Sequence, residues 1–183
     1  MVLSSSQDAF SSVAGYRFGA MRFRARGYDS GASEVYLNGV YFNDALTGYS
    51  PWSLWSGLNE ATRDQEIVTG LEMSDFGVGG LGGMTNINAR ASKMRRGWRA
   101  GSVNANNRYR FRFLGSYSSG ENAKGWSYAF TGSTRQGGND WANGTWDNGW
   151  AYFGSVERRL GKSNRLALTV FGSPTKRAVQ GAS

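Results

Sequence analysis

Four stretches in the second half of the chain alternate with a period of two between apolar or aromatic residues and polar residues, over residues 108–117, 125–134, 149–160 and 164–173. In the first stretch, Tyr109, Phe111 and Phe113 fall on one face, whereas Arg110 and Arg112 fall on the other. This period is typical of β-strands, because successive side chains point to opposite faces of a sheet. The alternation therefore predicts a set of antiparallel strands from about residue 98 onward.

Two architectures fit these strands. Each run has about ten residues, and transmembrane β-strands of ~9–11 residues place apolar side chains outward and polar side chains inward. The connections alternate between long and short, as the loops and turns of such a barrel do. A soluble antiparallel sheet with one wet face explains the same alternation and is the commoner case. Alternation alone leaves both architectures open.

The amino-acid composition excludes several kinds of metal site and catalytic group. The 183 residues include 27 glycines, 14% aromatic residues, no Cys and no His. Disulfides, thiolate metal sites and imidazole catalysis are therefore excluded, and we predict no metal and no cofactor. Glu60 and Asp64 lie four residues apart, which is more typical of a solvated edge than of a catalytic carboxylate pair. We predict that the chain is not an enzyme.

The net charge of +8 raises the question of nucleic-acid binding, because no acidic residue lies between Asp75 and Glu121. An RNA-binding sheet carries aromatic and basic side chains on the same face. In the run 108–113 they alternate to opposite faces, so we predict no nucleic-acid partner.

The first half of the chain contains local signals for a hairpin and a helix. Asn38-Gly39 between apolar residues predicts a two-residue β-turn. Residues 59–68 predict a short helix with Asn59 as its cap, although the β-branched Ile67 and Val68 also favour a strand.

A glycine-rich segment follows at 75–87 and contains a formal G-x-G-x-x-G pattern. A dinucleotide loop needs a helix directly after this pattern, and the residues that follow favour a strand instead. We therefore predict that the glycines mark a sharp turn with close packing, which is a structural hinge formed by Gly77, Gly79, Gly82 and Gly83.

Taken together, four segments in order resemble a TonB-dependent outer-membrane receptor of the Bacteroidota (SusC-like) type. They are "FRARGYDS" (23–30), "VYLNGVYFND" (35–44), "ATRDQEIVTGLEMSDFGVGGLGGMTNINAR" (61–90) and "FGSPTKR" (171–177). The resemblance implies a mainly β fold with a short helix, namely an α+β plug segment followed by antiparallel strands of an incomplete transmembrane β-barrel. It implies three parts: the C-terminal part of a plug domain (1–92), a plug-to-barrel junction (93–97) and the first barrel strands (98–183).

The function that the resemblance implies is import without a chemical step. The intact family binds a scarce extracellular ligand (a siderophore, another small ligand, a glycan or a peptide) and passes it into the periplasm. The energy comes from TonB of the TonB-ExbB-ExbD complex, which acts through a segment missing here. The implied location is the Gram-negative outer membrane in contact with its lipid, and a lid lipoprotein partner is left open. The first ten residues do not form a signal peptide.

The resemblance also implies residue roles. The loop after the hairpin would face the ligand, which implies contacts from Tyr41, Asn43, Asp44, Tyr49, Trp52 and Trp55. Arg26 is a further candidate, although pairing with the barrel wall fits it better. Arginines that face the lumen would meet acidic residues of the plug or barrel. Because such barrels have about 22 strands, we expect a fragment of a receptor. The alternative is a soluble β-rich module that binds sugar or nucleic acid.

Overall fold

A computed structural model of the protein describes residues 28, 30–50, 52–74, 77–78, 80–104, 109–137 and 144–178. The chain is mainly β, with antiparallel sheets and only short 3-10 turns within this part. No helix among these residues is long and apolar enough to cross a membrane. Chain contacts divide the protein into two compact units. The first contains the described residues before Trp52 and Gln65–Ile87, and the second contains Trp52–Asp64 and the described residues from Asn88 on. The units thus interleave along the chain, whereas the predicted domains follow one another in sequence.

The first unit is built on a four-stranded sheet with the order β2-β1-β6-β3, beside a two-stranded ribbon of β4 and β5. The strands are β1 (Glu34–Leu37), β2 (Val40–Tyr41), β3 (Gln65–Val68), β4 (Met73–Ser74), β5 (Gly77–Val78) and β6 (Met84–Ile87). β1 and β6 are parallel, whereas β2 and β3 pair antiparallel with their neighbours. Buried apolar side chains come from the central strands, including Val35, Met84 and Ile87.

The predicted Asn38-Gly39 hairpin is confirmed. Both residues have positive φ, at 54° and 82°, as a two-residue turn that matches the strand twist requires. The turn places Leu37 opposite Val40 and Tyr36 opposite Tyr41.

The predicted helix over 59–68 is wrong. Hydrogen bonds from Ala61 and Thr62 to the carbonyl of Leu58 form a single turn, and Gln65–Val68 then pairs with β6. Ile67 and Val68 lose side-chain freedom in a helix and pack well on a pleated sheet, so pairing decides the outcome.

The second unit is a six-stranded antiparallel sheet with the order β7-β8-β9-β10-β11, in which β12 also pairs with β10. Its strands are β7 (Gly97–Asn104), β8 (Phe111–Ser118), β9 (Trp126–Gln136), β10 (Trp146–Arg159), β11 (Arg165–Gly172) and β12 (Thr175–Ala178). The four alternating runs of the sequence coincide with β8 to β11, so their prediction as antiparallel strands is confirmed. Two further segments, Trp52–Asp64 and 88–96, belong to the same unit.

The glycine-rich turn of the first unit packs closely at two of the four glycines predicted to form a hinge. Gly83 has φ +90°, and a Cβ there would lie 2.6 Å from the Val68 carbonyl oxygen. A Cβ at Gly82 would lie 2.5 Å from Ser33 Oγ and 2.9 Å from Ala32 C. Gly77 lies in β5 with open space around it, and Gly79 lies outside the described residues. Close packing in this turn therefore depends on Gly82 and Gly83, and also on Gly80, where a Cβ would lie 2.8 Å from the Ala32 carbonyl oxygen.

Replacing Gly83 by alanine should destabilise the first unit by about 1–3 kcal/mol, because the new Cβ meets backbone and φ is positive. Hydrogen exchange of the β6 amides under increasing urea measures the effect. Gly77→Ala is the matched control and should change protection little. Equal protection in the two variants would contradict the packing argument.

Candidate functional site

One face of the second unit's sheet is covered by other segments of the chain, and we call it the inner face. It is polar and buried, which reverses the arrangement of an ordinary soluble sheet. Small hydroxyl side chains share this face with a few charged ones and with the buried apolar residues Ala129, Ala151 and Phe153. The buried polar residues of this face are Arg112, Ser116 and Ser118 on β8, Ser127, Thr131, Ser133 and Arg135 on β9, and Asp147, Ser155 and Glu157 on β10. A buried polar face is stable only if its groups find partners, so the chain segments that cover it are informative.

The segment Trp52–Asp64 is bound to this face through the backbone of Gly57. The Gly57 carbonyl oxygen accepts hydrogen bonds from Arg112 Nη2 at 2.6 Å and from Ser133 Oγ at 2.8 Å. Ser56 is held next to it, because its hydroxyl accepts from Arg135 and its carbonyl accepts from Ser173 Oγ at 2.6 Å. The charged donors make these bonds stronger than neutral ones.

The close approach requires glycine at position 57. Its φ is +97°, and a Cβ would lie 2.9 Å from Ser133 Oγ and 3.4 Å from the Ala151 Cβ. Trp55, which precedes it on a 3-10 turn, is buried with its ring centroid 6.2 Å from that of Phe171. The segment is therefore fixed by one apolar anchor and one polar cluster, which we call the Gly57 cluster: Ser56, Gly57, Arg112, Ser133 and Arg135.

A second contact fixes residues 88–94 on the same face. The fully buried Glu157 carboxylate accepts hydrogen bonds from the Ser92 N–H at 3.1 Å and from Arg165 at 3.2 Å. Ser118 Oγ donates to the Met94 carbonyl at 3.3 Å. The sheet thus holds two separate stretches of chain through polar groups.

Between these two stretches lies a cavity of about 450 Å³, lined by Glu60, Ala61, Arg63, Asp64, Asn88, Lys93, Met94, Arg95 and Arg99. Glu60 forms an ion pair with Arg99 at 2.9 Å. The ion pair engages the Glu60 carboxylate, so this group has a structural role in the cavity wall. Among the described residues, no group of three or more acidic side chains is placed to hold a metal ion.

Several polar atoms of the inner face have no hydrogen-bond partner among the described residues. They are Arg112 Nε, Arg135 Nη2, Asp147 Oδ1 and the hydroxyls of Ser116, Ser127 and Thr131. Buried polar atoms are almost always satisfied, by protein or by water. The inner face is therefore suited to further polar contacts.

The residues predicted to contact a ligand are divided between the two units. Tyr41, Asn43, Asp44 and Tyr49 lie in the first unit, Trp52 and Trp55 lie in the second, and Arg26 lies outside the described residues. Tyr41, Tyr49 and Trp52 are exposed, whereas Trp55 and Asn43 are buried. Within either unit, the structure does not bring the whole set together.

Asn43 and Asp44 hold their own loop together. The Asn43 side chain accepts from the Val35 N–H at 2.8 Å and donates to the carbonyls of Ser33 and Gly48 at 2.7 Å. The Asp44 carboxylate accepts from the Thr47 N–H at 2.7 Å, the Thr47 hydroxyl at 2.8 Å and the Leu46 N–H at 3.1 Å. These bonds, that of the Thr47 N–H foremost, lower the pKa of Asp44 below its ordinary value.

Comparison of the chain with protein-family models, with curated proteins and with solved structures gives no match. The Gly57 cluster was not predicted as a unit. Its signal in the sequence is the polar half of each alternating run, which marks Arg112 and Ser133 as inward-facing but does not show that a glycine carbonyl is their partner.

Arg112→Ala should release the segment 56–59, because the Gly57 carbonyl loses its charged donor; we expect a loss of about 1.5–3 kcal/mol in local stability. Hydrogen exchange of the amides between Trp52 and Asp64 measures this. Arg110→Ala is the matched control, since Arg110 lies two residues earlier and is exposed. Unchanged exchange in the Arg112 variant would show that the cluster does not anchor the segment.

Acid should loosen the 44–48 loop. Because the folded pKa of Asp44 is depressed, its stabilising effect is present above the unfolded value and is lost as pH falls through the folded value. Carboxyl NMR titration of the full chain should give a pKa below that of an ordinary aspartate. In Asp44→Asn, the protection factors of the Leu46 and Thr47 amides, which correct for the intrinsic pH dependence of exchange, should be lower and should not change with pH in this range. A titration at or above the ordinary value would contradict the hydrogen-bond pattern.

Proposed function

We propose that this chain is the C-terminal part of a plug domain and the first wall strands of a TonB-dependent outer-membrane receptor. The whole receptor binds a scarce extracellular ligand and imports it into the periplasm with energy from TonB. The observation that carries the proposal is the inverted polarity of the second unit's sheet, with charged and hydroxyl groups on the covered face and aromatic groups on the exposed face.

The outer face is largely apolar, with polar residues such as Thr134, Asn148 and Arg158 toward its ends. Exposed side chains on it include Trp98 (81%), Phe113 (50%), Phe130 (51%), Trp150 (56%) and Leu168 (68%). The strand register joins them into continuous rows, for example Trp98, Tyr117, Phe130, Gly154 and Val170. Soluble proteins rarely expose an apolar patch of this extent, so the face calls for a lipid or protein environment.

The height of the apolar face fits a bilayer. One aromatic row contains Trp126, opposite Arg158, and another contains Trp150, opposite Thr134, so eight residues of β10 separate them. At ~3.3 Å per residue this is about 26 Å along the strand, or roughly 20 Å along the membrane normal for a strand tilted by ~40°. This is close to the apolar band of ~25 Å between the aromatic girdles of outer-membrane barrels.

The covered face fits the same proposal. The segment that contains Gly57 falls in the part of the chain that the resemblance assigns to the plug, and it is bound by wall residues Arg112 and Ser133. A plug held in part by hydrogen bonds can exchange those bonds for water at small cost when it separates from the wall, since water replaces each bond. A plug that has to move during import needs this property.

The proposal requires more strands than the sheet described here contains. The smallest closed membrane barrels have about eight strands, and hydrocarbon does not tolerate open sheet edges. β7 and β11 must then pair with further strands of the receptor. The ligand, glycan, peptide or siderophore, and a lid lipoprotein belong to the whole receptor, which would reside in the Gram-negative outer membrane.

The parent gene product should fractionate with outer membranes and show heat-modifiable mobility, because a folded barrel migrates differently in detergent gels until it is boiled. A soluble product with unshifted mobility would defeat the proposal and favour the soluble binding module.

Phe130→Arg separates the two alternatives in the same assay. In a bilayer, an arginine near the middle of the outer face should cost about 2–4 kcal/mol and reduce the folded fraction, whereas Phe130→Leu should have little effect. In a soluble module, Phe130→Arg would leave folding unchanged or increase solubility. Equal folding of the arginine and leucine variants would therefore count against a membrane-facing wall.

A further inference from the structure

Basic side chains gather at one end of the second unit's sheet, the end that carries the short turns 119–125 and 160–164. The two turns are adjacent, because the Arg159 N–H donates to the Gly125 carbonyl at 2.8 Å. The basic residues at this end are Arg95, Arg96, Lys124, Arg158, Arg159, Lys162 and Arg165. Glu121 neutralises part of this charge through ion pairs with Arg159 at 3.0 Å and Arg165 at 2.9 Å.

Five of these side chains are exposed and have no ion-pair partner among the described residues, namely Arg95, Arg96, Lys124, Arg158 and Lys162. Three of the five, Lys124, Arg158 and Lys162, lie on or next to the two turns. We call these three the short-turn rim. They lie at the border of the apolar outer face, whose last row consists of Trp126, Arg158 and Leu166. The rim is therefore a line of available cations directly beside aromatic and aliphatic side chains.

Arg158 belongs to the short-turn rim and also contacts the aromatic border of the outer face. Its Cζ lies 5.0 Å from the centroid of the Trp126 ring, which holds the guanidinium over the aromatic face. The ring of Trp126 in turn stacks on Tyr128, with 5.9 Å between centroids. Trp and Tyr are enriched at the level of lipid headgroups, where an apolar ring and a polar neighbour are both accommodated.

We propose that the short-turn rim binds the phosphate headgroups of anionic phospholipids in the leaflet on that side. This inference rests on the proposed membrane location and deepens it by naming the lipid class. Charge complementarity selects an anionic occupant, and the adjoining apolar face selects a lipid, because the acyl chains of the same molecule then cover the rows above Trp126. The opposite end of the sheet also combines basic and aromatic side chains, since Arg110 Cζ lies 5.7 Å from the centroid of the Phe111 ring and Trp150 lies 5.3 Å from Tyr152 between centroids. It carries fewer exposed basic side chains among the described residues, namely Arg110, Lys176 and Arg177. The higher density of cations therefore distinguishes the short-turn end.

The test is partition of the full chain, diluted from denaturant, into vesicles of phosphatidylcholine alone or mixed with phosphatidylglycerol. Each basic side chain at an anionic surface strengthens binding about fivefold, so three give up to about 100-fold. The rim variant Lys124→Gln, Arg158→Gln, Lys162→Gln should lose most of this preference and keep its binding to phosphatidylcholine. The matched control Arg110→Gln, Lys176→Gln, Arg177→Gln should keep the preference.

Salt and competitors provide measurements on the unaltered chain. High salt should remove the preference for phosphatidylglycerol, because these charges are exposed to solvent. Inorganic phosphate should displace the chain no better than chloride at equal ionic strength. A rim variant that keeps the preference, specific displacement by phosphate, or rim-dependent binding of a single-stranded oligonucleotide without vesicles would each overturn the inference.

Comparison of the two vesicle types distinguishes lipid binding at the short-turn rim from the membrane-facing wall. Binding to both vesicle types with equal strength overturns the rim and leaves the membrane-facing wall standing. Failure to bind either type overturns the rim, whereas the membrane-facing wall is tested separately by fractionation of the parent gene product.

Discussion

The hydrogen bonds from Arg112 and Ser133 to the Gly57 carbonyl depend on a constraint that governs the whole second unit: its sheet buries polar groups. A sheet whose covered face carries arginine, serine and glutamate is held only in part by hydrophobic burial, which comes here from Trp55, Phe153 and Phe171. It must also be held by specific donors and acceptors, and each has to reach a partner. The fixed positions of Ser56, Gly57 and Ser92 follow from this requirement, and so does the glycine at position 57.

Sequence alone predicts the strands and their faces well, because a period of two is a local property of β-structure. The runs around Phe113, Phe130 and Tyr152 become strands with these side chains on one face. The sequence does not determine which face is covered, since that depends on which distant segment lies against it. Arg112 lies on the covered face and Phe113 on the exposed face. In an ordinary soluble sheet the phenylalanine would be covered and the arginine exposed.

The partners of the inward-facing charges illustrate the same limit. Arg99 lies on the inner face and pairs with the carboxylate of Glu60. Arg112 and Arg135 instead bind a backbone carbonyl and a serine hydroxyl. Backbone acceptors are present at every residue, so composition gives no sign of which one is used. The predicted helix at 59–68 is wrong for a related reason, because pairing of Gln65–Val68 with β6 is a long-range event that overrides local propensity.

On the outer face, aromatic rings cover two glycines of neighbouring strands, Gly154 and Gly172. A Cβ at Gly172 would lie 2.7 Å from the Tyr152 ring, and a Cβ at Gly154 would lie 3.6 Å from the Phe130 ring. Each ring therefore lies over a glycine on the neighbouring strand and covers backbone that glycine leaves bare. Gly154 and Gly172 are paired in the strand ladder, so their peptide groups are already hydrogen-bonded. Gly115 and Gly132 on the same face have open space where a Cβ would lie. An aromatic ring over a cross-strand glycine packs against the neighbouring strand and helps to fix the register, in water as well as in lipid.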